Sequence, residues 1–332
     1  MSGYAIQTRH LTRDFGAIRA VDDMSLDVPS GIIFGFLGAN GAGKTTTIHL
    51  LLSLIEPTAG SALTLGFDTR KQGQAIRERT GALLEFNGLY ERLSAMDNLD
   101  FYGRIWHMPA TERQARIQEL LTHFGLWDRR SERVATWSRG MKQKLAIARV
   151  LLHHPQLIFL DEPTAGLDPL AAASLRDDLD ALAHREGVTV FLNTHNLDEA
   201  QRLCAQVGVI RSGKLLAVGA PDELRANTDA PRLVIAGEGF TEETLAAARS
   251  ASGVAHVEFQ PASHGASGAT GASGANSANE YDGRLVVELS AEARGAPVVS
   301  ALVGAGARLE EVRRDRASLE EVFLSLMEDE KR

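Results

Sequence analysis

The chain has 332 residues, of which 44% are hydrophobic and 23% charged, with Asp plus Glu exceeding Lys plus Arg by 43 to 35. This length and composition suit a soluble globular protein with one large domain and a smaller one. A net charge of -8 argues against the broad basic surface that nucleic acid or an anionic membrane demands of its main partner.

Cys204 is the only cysteine, which rules out an intrachain disulfide and suits a small buried hydrophobe. The opening MSGYAIQTRHLTRDFG lacks the charged-then-apolar pattern of a secretory signal. No apolar run reaches the ~20 residues that cross a bilayer as a helix. These features predict a soluble, cytoplasmic protein that meets a membrane only through a partner.

Taken in chain order, short consecutive apolar runs at 32–37, 157–160, 188–192 and 207–210 predict parallel strands covered on both faces. Helical spacing at 45–54, 111–124 and 170–184 alternates with them, which predicts an α/β domain over 1–227. The stretch 88–152 is helical in period without a convincing strand, and is expected to form a helical insert. Composition shifts after Asn227. Strands at 232–236, 254–259, 285–289 and 307–312 and helices at 241–250 and 291–303 give a βαββαβ order, expected to be a small ferredoxin-like α+β domain over 228–332. A last amphipathic helix is expected at 318–327. The Gly/Ala/Ser tract within about 261–282 has nothing to bury and is expected to be a disordered loop.

Three motifs carry chemistry. The first is GANGAGKT, Gly38, Ala39, Asn40, Gly41, Ala42, Gly43, Lys44 and Thr45, placed directly after the strand IIFGFL and before a helix. It has the P-loop form in its required context. Glycines let the backbone curl so that N–H groups of 40–45 and the helix N-terminus converge on phosphate oxygens. Lys44 is expected to bridge the β- and γ-phosphates, with the Thr45 hydroxyl on Mg²⁺ and Thr46 beside it. The second is LIFLDE, where a buried strand ends in Asp161 and Glu162, at the edge where parallel sheets place ligands. Asp161 suits a Mg²⁺ shell, and Glu162 suits polarising an attacking water. The third is WSRGMKQKLAIARVLLHH, in which Ser138 and Gly140 open a helix and direct its N-terminal N–H groups at an anion.

With these residues in place, the sequence resembles the ATP-binding cassette (ABC) transporter ATPases over about 4–227. The resemblance implies a P-loop NTPase fold of the ABC type, with a parallel-sheet core, an antiparallel N-terminal β part and a helical insert. It implies that Ser138, Arg139 and Gly140, in place of the family's LSGGQ core, cap the γ-phosphate of ATP bound to a second copy. Phe15 matches the aromatic that stacks on adenine, Asp168 closes the AGLD loop through which two subunits communicate, and His195 matches the histidine on the γ-phosphate. Glu85 stands where the family has a Mg²⁺-ligating glutamine, adding negative charge near the triphosphate. Arg139 is the other departure, one that adds phosphate affinity. The C-terminal part, ending in SLEEVFL, is similar to the accessory domain of the daunorubicin-resistance-type export ATPases.

The resemblance implies an ATPase that binds ATP and Mg²⁺, dimerises on nucleotide and energises a transmembrane permease on a separate chain, with no nucleic-acid partner. The implied location is the cytoplasmic face of the membrane, and the direction is export. The alternative is a soluble ABC ATPase acting on ribosomes or DNA. Such proteins usually carry two cassettes or a long coiled-coil insert with basic extensions, whereas this chain has one P-loop and an acidic balance.

Overall fold

The computed structural model describes residues 3–226, 232–261, 281–290, 293–315 and 320–323. The chain folds as two units, the first running to Pro221 and the second beginning at Asp222. The Gly/Ala/Ser tract and most of the expected helix at 318–327 lie outside the described residues.

The first unit opens with two long strands, β1 (Tyr4–Phe15) and β2 (Ile18–Pro29), then β3 (Ile33–Leu37) and α1 (Lys44–Leu51). After these come β4 (Ala59–Thr64), β5 (Phe67–Asp68), α2 (Gly73–Arg77) and β6 (Thr80–Leu83). Next are α3 (Ala95–Ile105), α4 (Ala110–His123) and α5 (Arg139–Leu151), and then β7 (Leu157–Asp161), α6 (Pro169–Glu186) and β8 (Thr189–Thr194). The unit closes with α7 (Leu197–Leu203), β9 (Gln206–Arg211) and β10 (Lys214–Gly219).

Two sheets result. One is antiparallel, in the order β2-β1-β4-β5. The other has the order β10-β9-β3-β8-β7-β6 and is parallel except for the β10 edge. Every residue of β3 and β8 is buried, as the consecutive apolar runs predict for strands covered on both faces. The Phe191 ring sits among Phe34, Phe36 and Phe159, with centroids 5.5, 5.2 and 5.5 Å away. Val21, Met24 and Val28 of the antiparallel sheet and Ile48 and Leu51 of α1 join the same core, so both sheets clamp α1 and the loop before it. The insert over 88–152 holds α3, α4 and α5 and two short 3-10 helices, Trp127–Arg129 and Val134–Thr136, joined by loops, with one isolated bridge, Ser94 to Arg133. Helix α6 outruns its expected end by two residues and stops at Gly187, whose φ of 63° suits the left-handed helix stop.

The second unit contains α8 (Pro221–Ala226) with Pro221 at the boundary, then β11 (Arg232–Phe240), α9 (Glu242–Ser250), β12 (Val254–Pro261), β13 (Tyr281–Leu289), α10 (Ala296–Gly304) and β14 (Arg308–Asp315). The strands form an antiparallel sheet in the order β12-β13-β11-β14. Leu245 and Ala248 of α9 and Val298 and Leu302 of α10 pack on the strand residues Ile235, Leu285 and Val287. Helix α10 starts at Ala296, later than its expected 291, with Pro in the first turn where a missing N–H costs nothing.

One core contact makes stability depend on pH. The His153 ring stacks on Trp106 at 3.9 Å with an interplanar angle of 10°. Its Nε2 lies 3.1 Å from the Thr80 carbonyl, which can only accept, so Nε2 carries the proton. Burial pushes the imidazole pKa down from 6.5 to about 4, with His154, Arg149 and Arg116 adding to the effect. The unfolded chain therefore takes up a proton near pH 6.5 that the folded one refuses until about pH 4. The stabilisation is present above pH 6.5 and is lost as pH falls through that window, by up to about 3 kcal/mol. Thermal melts of wild type and His153→Gln at pH 7.5 and pH 4.5 check this. The variant is expected to lose less stability on acidification, and parallel losses would contradict the assignment.

Candidate nucleotide-binding site

The P-loop joins the carboxyl end of β3 to α1. Gly43 is the residue before the helix, with φ 105°, and a Cβ there would come within 2.2 Å of the Ala20 carbonyl oxygen. Only glycine can take that conformation and approach. No side chain caps α1, which leaves first-turn N–H groups to an incoming anion. The loop is braced from behind, since Gly213 N–H donates to Ala42 O at 2.9 Å and Ala42 N–H to Ala39 O at 3.1 Å. Lys44 is 6% exposed, and its Nζ donates to Gly38 O at 2.5 Å and Ala39 O at 3.1 Å. Burial pushes its pKa down, against the opposing pull of Glu162 and Asp161.

The carboxylates lie across from this loop, at the end of β7. Thr45 Oγ1 donates to Asp161 Oδ2 at 3.3 Å, which joins the first motif to the second across 116 residues. Glu162 has φ 49°, a left-handed conformation that costs a residue with a Cβ about 1–3 kcal/mol. The conformation is held by Glu162 N–H donating to Asn193 O at 2.8 Å and by Ala165 N–H donating to Glu162 O at 3.1 Å. His195 Nδ1 is 2.7 Å from Glu162 Oε1. An ionised carboxylate only accepts, so Nδ1 carries the proton and Nε2 is left as an acceptor.

Lys44, Thr45, Asp161 and Glu162 border a cleft of about 1010 Å³, whose wall also includes Asn40, Gly41, Thr46 and Glu85, while His195 stands behind Glu162 and does not line it. Arg139 reaches the same wall and lies over Gly166, where a Cβ would come within 2.2 Å of its Nη1. Glu85 is exposed, two residues past the end of β6. Other expected site residues lie outside the wall of their own chain's cleft. Phe15 ends β1, 47% exposed, with the Arg13 guanidinium 4.5 Å above its ring, while its hairpin neighbours Ile18 and Arg19 line the cleft. Ser138 caps α5, accepting from Met141 N–H at 3.2 Å, and Gly140 follows in the first turn of that helix. Asp168 caps α6, accepting from Ala171 N–H at 2.9 Å.

Several cleft residues escaped sequence reasoning, among them Asn193, Arg19 and Lys142. Asn193 donates from Nδ2 to Asp161 Oδ1 at 2.5 Å, and Arg19 and Lys142 add cationic wall. Of these, only Lys142, four residues after Ser138 on one helix, carried a signal in its spacing.

A model of the ABC transporter family matches residues 21–165. Over 208 residues the chain is 41% identical to the ABC transporter ATP-binding protein NatA of Bacillus subtilis, a match spanning 62% of this chain and 84% of that protein. It is 34% identical over 335 residues to the daunorubicin resistance ATP-binding protein DrrA3 of Streptomyces coeruleorubidus, spanning 100% of this chain and 98% of the relative. The chain belongs to the ABC transporter family. It is an ATP-binding subunit of the drug-export type and an ATPase. As an ABC ATPase it also shares its fold with cbiO1 from Clostridium perfringens, described as part of the transporter complex cbiONQ. That likeness has a TM-score of 0.64 at 25% identity and covers 68% of this chain and 92% of that one. The match to DrrA3 runs through the second unit as well, so the C-terminal unit is shared with at least one family member. Among the described residues no helix is long and apolar enough to cross a membrane.

Proposed function

We propose that two copies of this chain close head to tail on two ATP molecules, hydrolyse them, and so drive a separate transmembrane permease through an export cycle. The observation that carries this reading is the convergence of Lys44, the Thr45–Asp161 pair and Glu162, held by His195, on one cleft. Thr45 and Asp161 offer one hydroxyl and one carboxylate, hard oxygen ligands of the kind Mg²⁺ takes when phosphates and water supply the rest. They would hold the ion, with Glu85 reaching its water shell, and the ion would neutralise charge developing on the γ-phosphate.

The protein's own groups do the remainder. P-loop N–H groups and Lys44 orient the triphosphate. Glu162, steered by its strained backbone and by His195 Nδ1–H, takes the proton of the attacking water. His195, with Nδ1–H on Glu162, turns its other ring edge to the γ-phosphate. Phe15 stacks on adenine. Ser138, Arg139 and Gly140 at the head of α5 meet the γ-phosphate of the ATP held by the second copy, and Asp168 lies in the loop between the two. That arrangement gives a role to Ser138 and Gly140, which do not line their own chain's cleft, whereas Arg139 does.

An aromatic cluster supports the permease contact. Tyr90 and Phe101 lie with ring centroids 5.0 Å apart, next to Tyr102, and Phe86, 80% exposed, follows Glu85 four residues before Tyr90 in the chain. Exposed aromatics gathered in one place are an interaction surface more often than a solvated one. The name of DrrA3 favours a hydrophobic drug as the cargo. The net charge of -8 disfavours a nucleic-acid partner. Tagged protein purified from detergent extracts of its source membranes is expected to carry a polytopic protein at two copies of this chain per permease pair. Phe86→Glu is expected to break that complex. Fractionation with ribosomes or nucleoid and no retained membrane protein would overturn the proposal.

A further inference from the structure

We propose that Asn193 is a positioning residue that holds the Asp161 carboxylate in its metal-binding orientation. The inference rests on the reading that Thr45 and Asp161 ligate Mg²⁺. Parallel pairing of β7 with β8 sets Asp161 beside Asn193. Asn193 is 1% exposed in a strand whose other described positions are apolar or Thr. Its Nδ2 donates to Asp161 Oδ1 at 2.5 Å, while Asp161 Oδ2 faces the Thr45 hydroxyl at 3.3 Å. A carboxylate has only acceptors, so the amide must present its NH₂ to Asp161, and its flip is not free.

That orientation has a cost. Asn193 Oδ1 is turned away, buried, and without a hydrogen-bond partner among the described residues. A strand interior carries such an unsatisfied acceptor only where the other half of the amide is needed, because an apolar side chain of similar shape would avoid the penalty. What the amide supplies is a tether on one carboxylate oxygen. With Oδ1 held, rotation of the carboxylate is restricted and Oδ2 stays with Thr45. The backbone of the same residue does a second job, accepting Glu162 N–H at 2.8 Å. Asn193 thus grips Asp161 through its side chain and Glu162 through its main chain, and substitution severs only the first grip.

Residues that orient a metal ligand commonly change metal affinity by ~10–100-fold when removed. Asn193→Leu keeps the size and the backbone acceptor but loses the donor. The readout is the affinity of the full chain for a fluorescent ATP analogue at a fixed, subsaturating Mg²⁺ concentration, divided by the same protein's affinity in EDTA. Asn193→Leu is expected to cut this Mg²⁺ enhancement by about 10-fold, an amount set by that same range. On an Asp161→Ala background it should add nothing, because both changes remove one function. An unchanged ratio overturns the proposal, as does an equal loss on both backgrounds, which marks a packing defect. If Asn193→Leu does not fold, Asn193→Ser decides by the same ratio, since its hydroxyl is too short to reach Asp161 as the amide does. A wild type without any Mg²⁺ enhancement defeats the metal reading itself, whereas a responsive wild type with an unaltered variant defeats this inference alone.

Discussion

Glu162→Gln is expected to lower kcat for ATP hydrolysis by about 10²–10⁴-fold, the usual scale for loss of a general base, with nucleotide affinity retained. The substitution preserves the shape of the side chain and lets its amide oxygen still accept from His195 Nδ1–H, now 2.7 Å from Glu162 Oε1. The backbone hold on this position runs through Asn193 O and Ala165 N, so it does not depend on the carboxylate. What disappears is the carboxylate assigned to take a proton from the attacking water. Single-turnover rates and equilibrium binding of ATP, measured on the same preparation, separate the two quantities. Near-normal turnover would move the base assignment to another residue. Equal loss of binding and turnover would mean that Glu162 shapes the site and does not act in the chemical step.

Lys44→Ala should abolish measurable nucleotide binding, with Kd rising about 100-fold or more. Hydrogen bonds to charged groups contribute roughly 1.5–3 kcal/mol each, and an ammonium spanning two phosphates makes at least two of them. In the structure Nζ is spent on the Gly38 and Ala39 carbonyls, with the ammonium buried and its pKa pushed down by desolvation. Asp161 and Glu162 are its nearest charge compensation. The residue therefore carries a standing desolvation cost without nucleotide, and a phosphate is the ligand that would offset it. Removing it should leave the melting temperature of the nucleotide-free protein little changed. The stabilisation that saturating ATP confers on wild type, about 2.7 kcal/mol at 100 times Kd, should vanish. A Lys44→Ala protein that melts much earlier without nucleotide yet keeps its ATP-dependent shift would make Lys44 a brace of the loop only.

Much of the site was legible because its pieces are local. GANGAGKT needs only a strand before it and a helix after it, and both come from hydrophobic periods in adjacent residues, so β3 and α1 fell within a few residues of their predicted bounds. Ser138 was an equally local signal and caps the helix it precedes, whereas Asp168, read from the resemblance alone, turns out to cap α6. β1 and β2 have no such clean signature. Their pairing carries register shifts at several points, which break a strict two-residue alternation. Strand β6 is only four residues long and sits between a short helix and a loop, too brief for any period to show.

The sequence by itself determined the chemistry on offer, namely a phosphate-binding loop, two carboxylates at a strand end and a histidine at another, because each is a contiguous run whose residue types dictate their own local geometry. Tertiary structure alone decided which of these groups meet. Thr45 reaches Asp161, His195 reaches Glu162 and Asn193 grips both carboxylate-bearing residues only because β3, β8 and β7 lie side by side, in an order that is not their order in the chain. Register between parallel strands is set by packing of the helices and side chains on both faces, and no local pattern encodes it. An asparagine in an apolar strand therefore stayed silent in the sequence until its neighbour across the sheet was known.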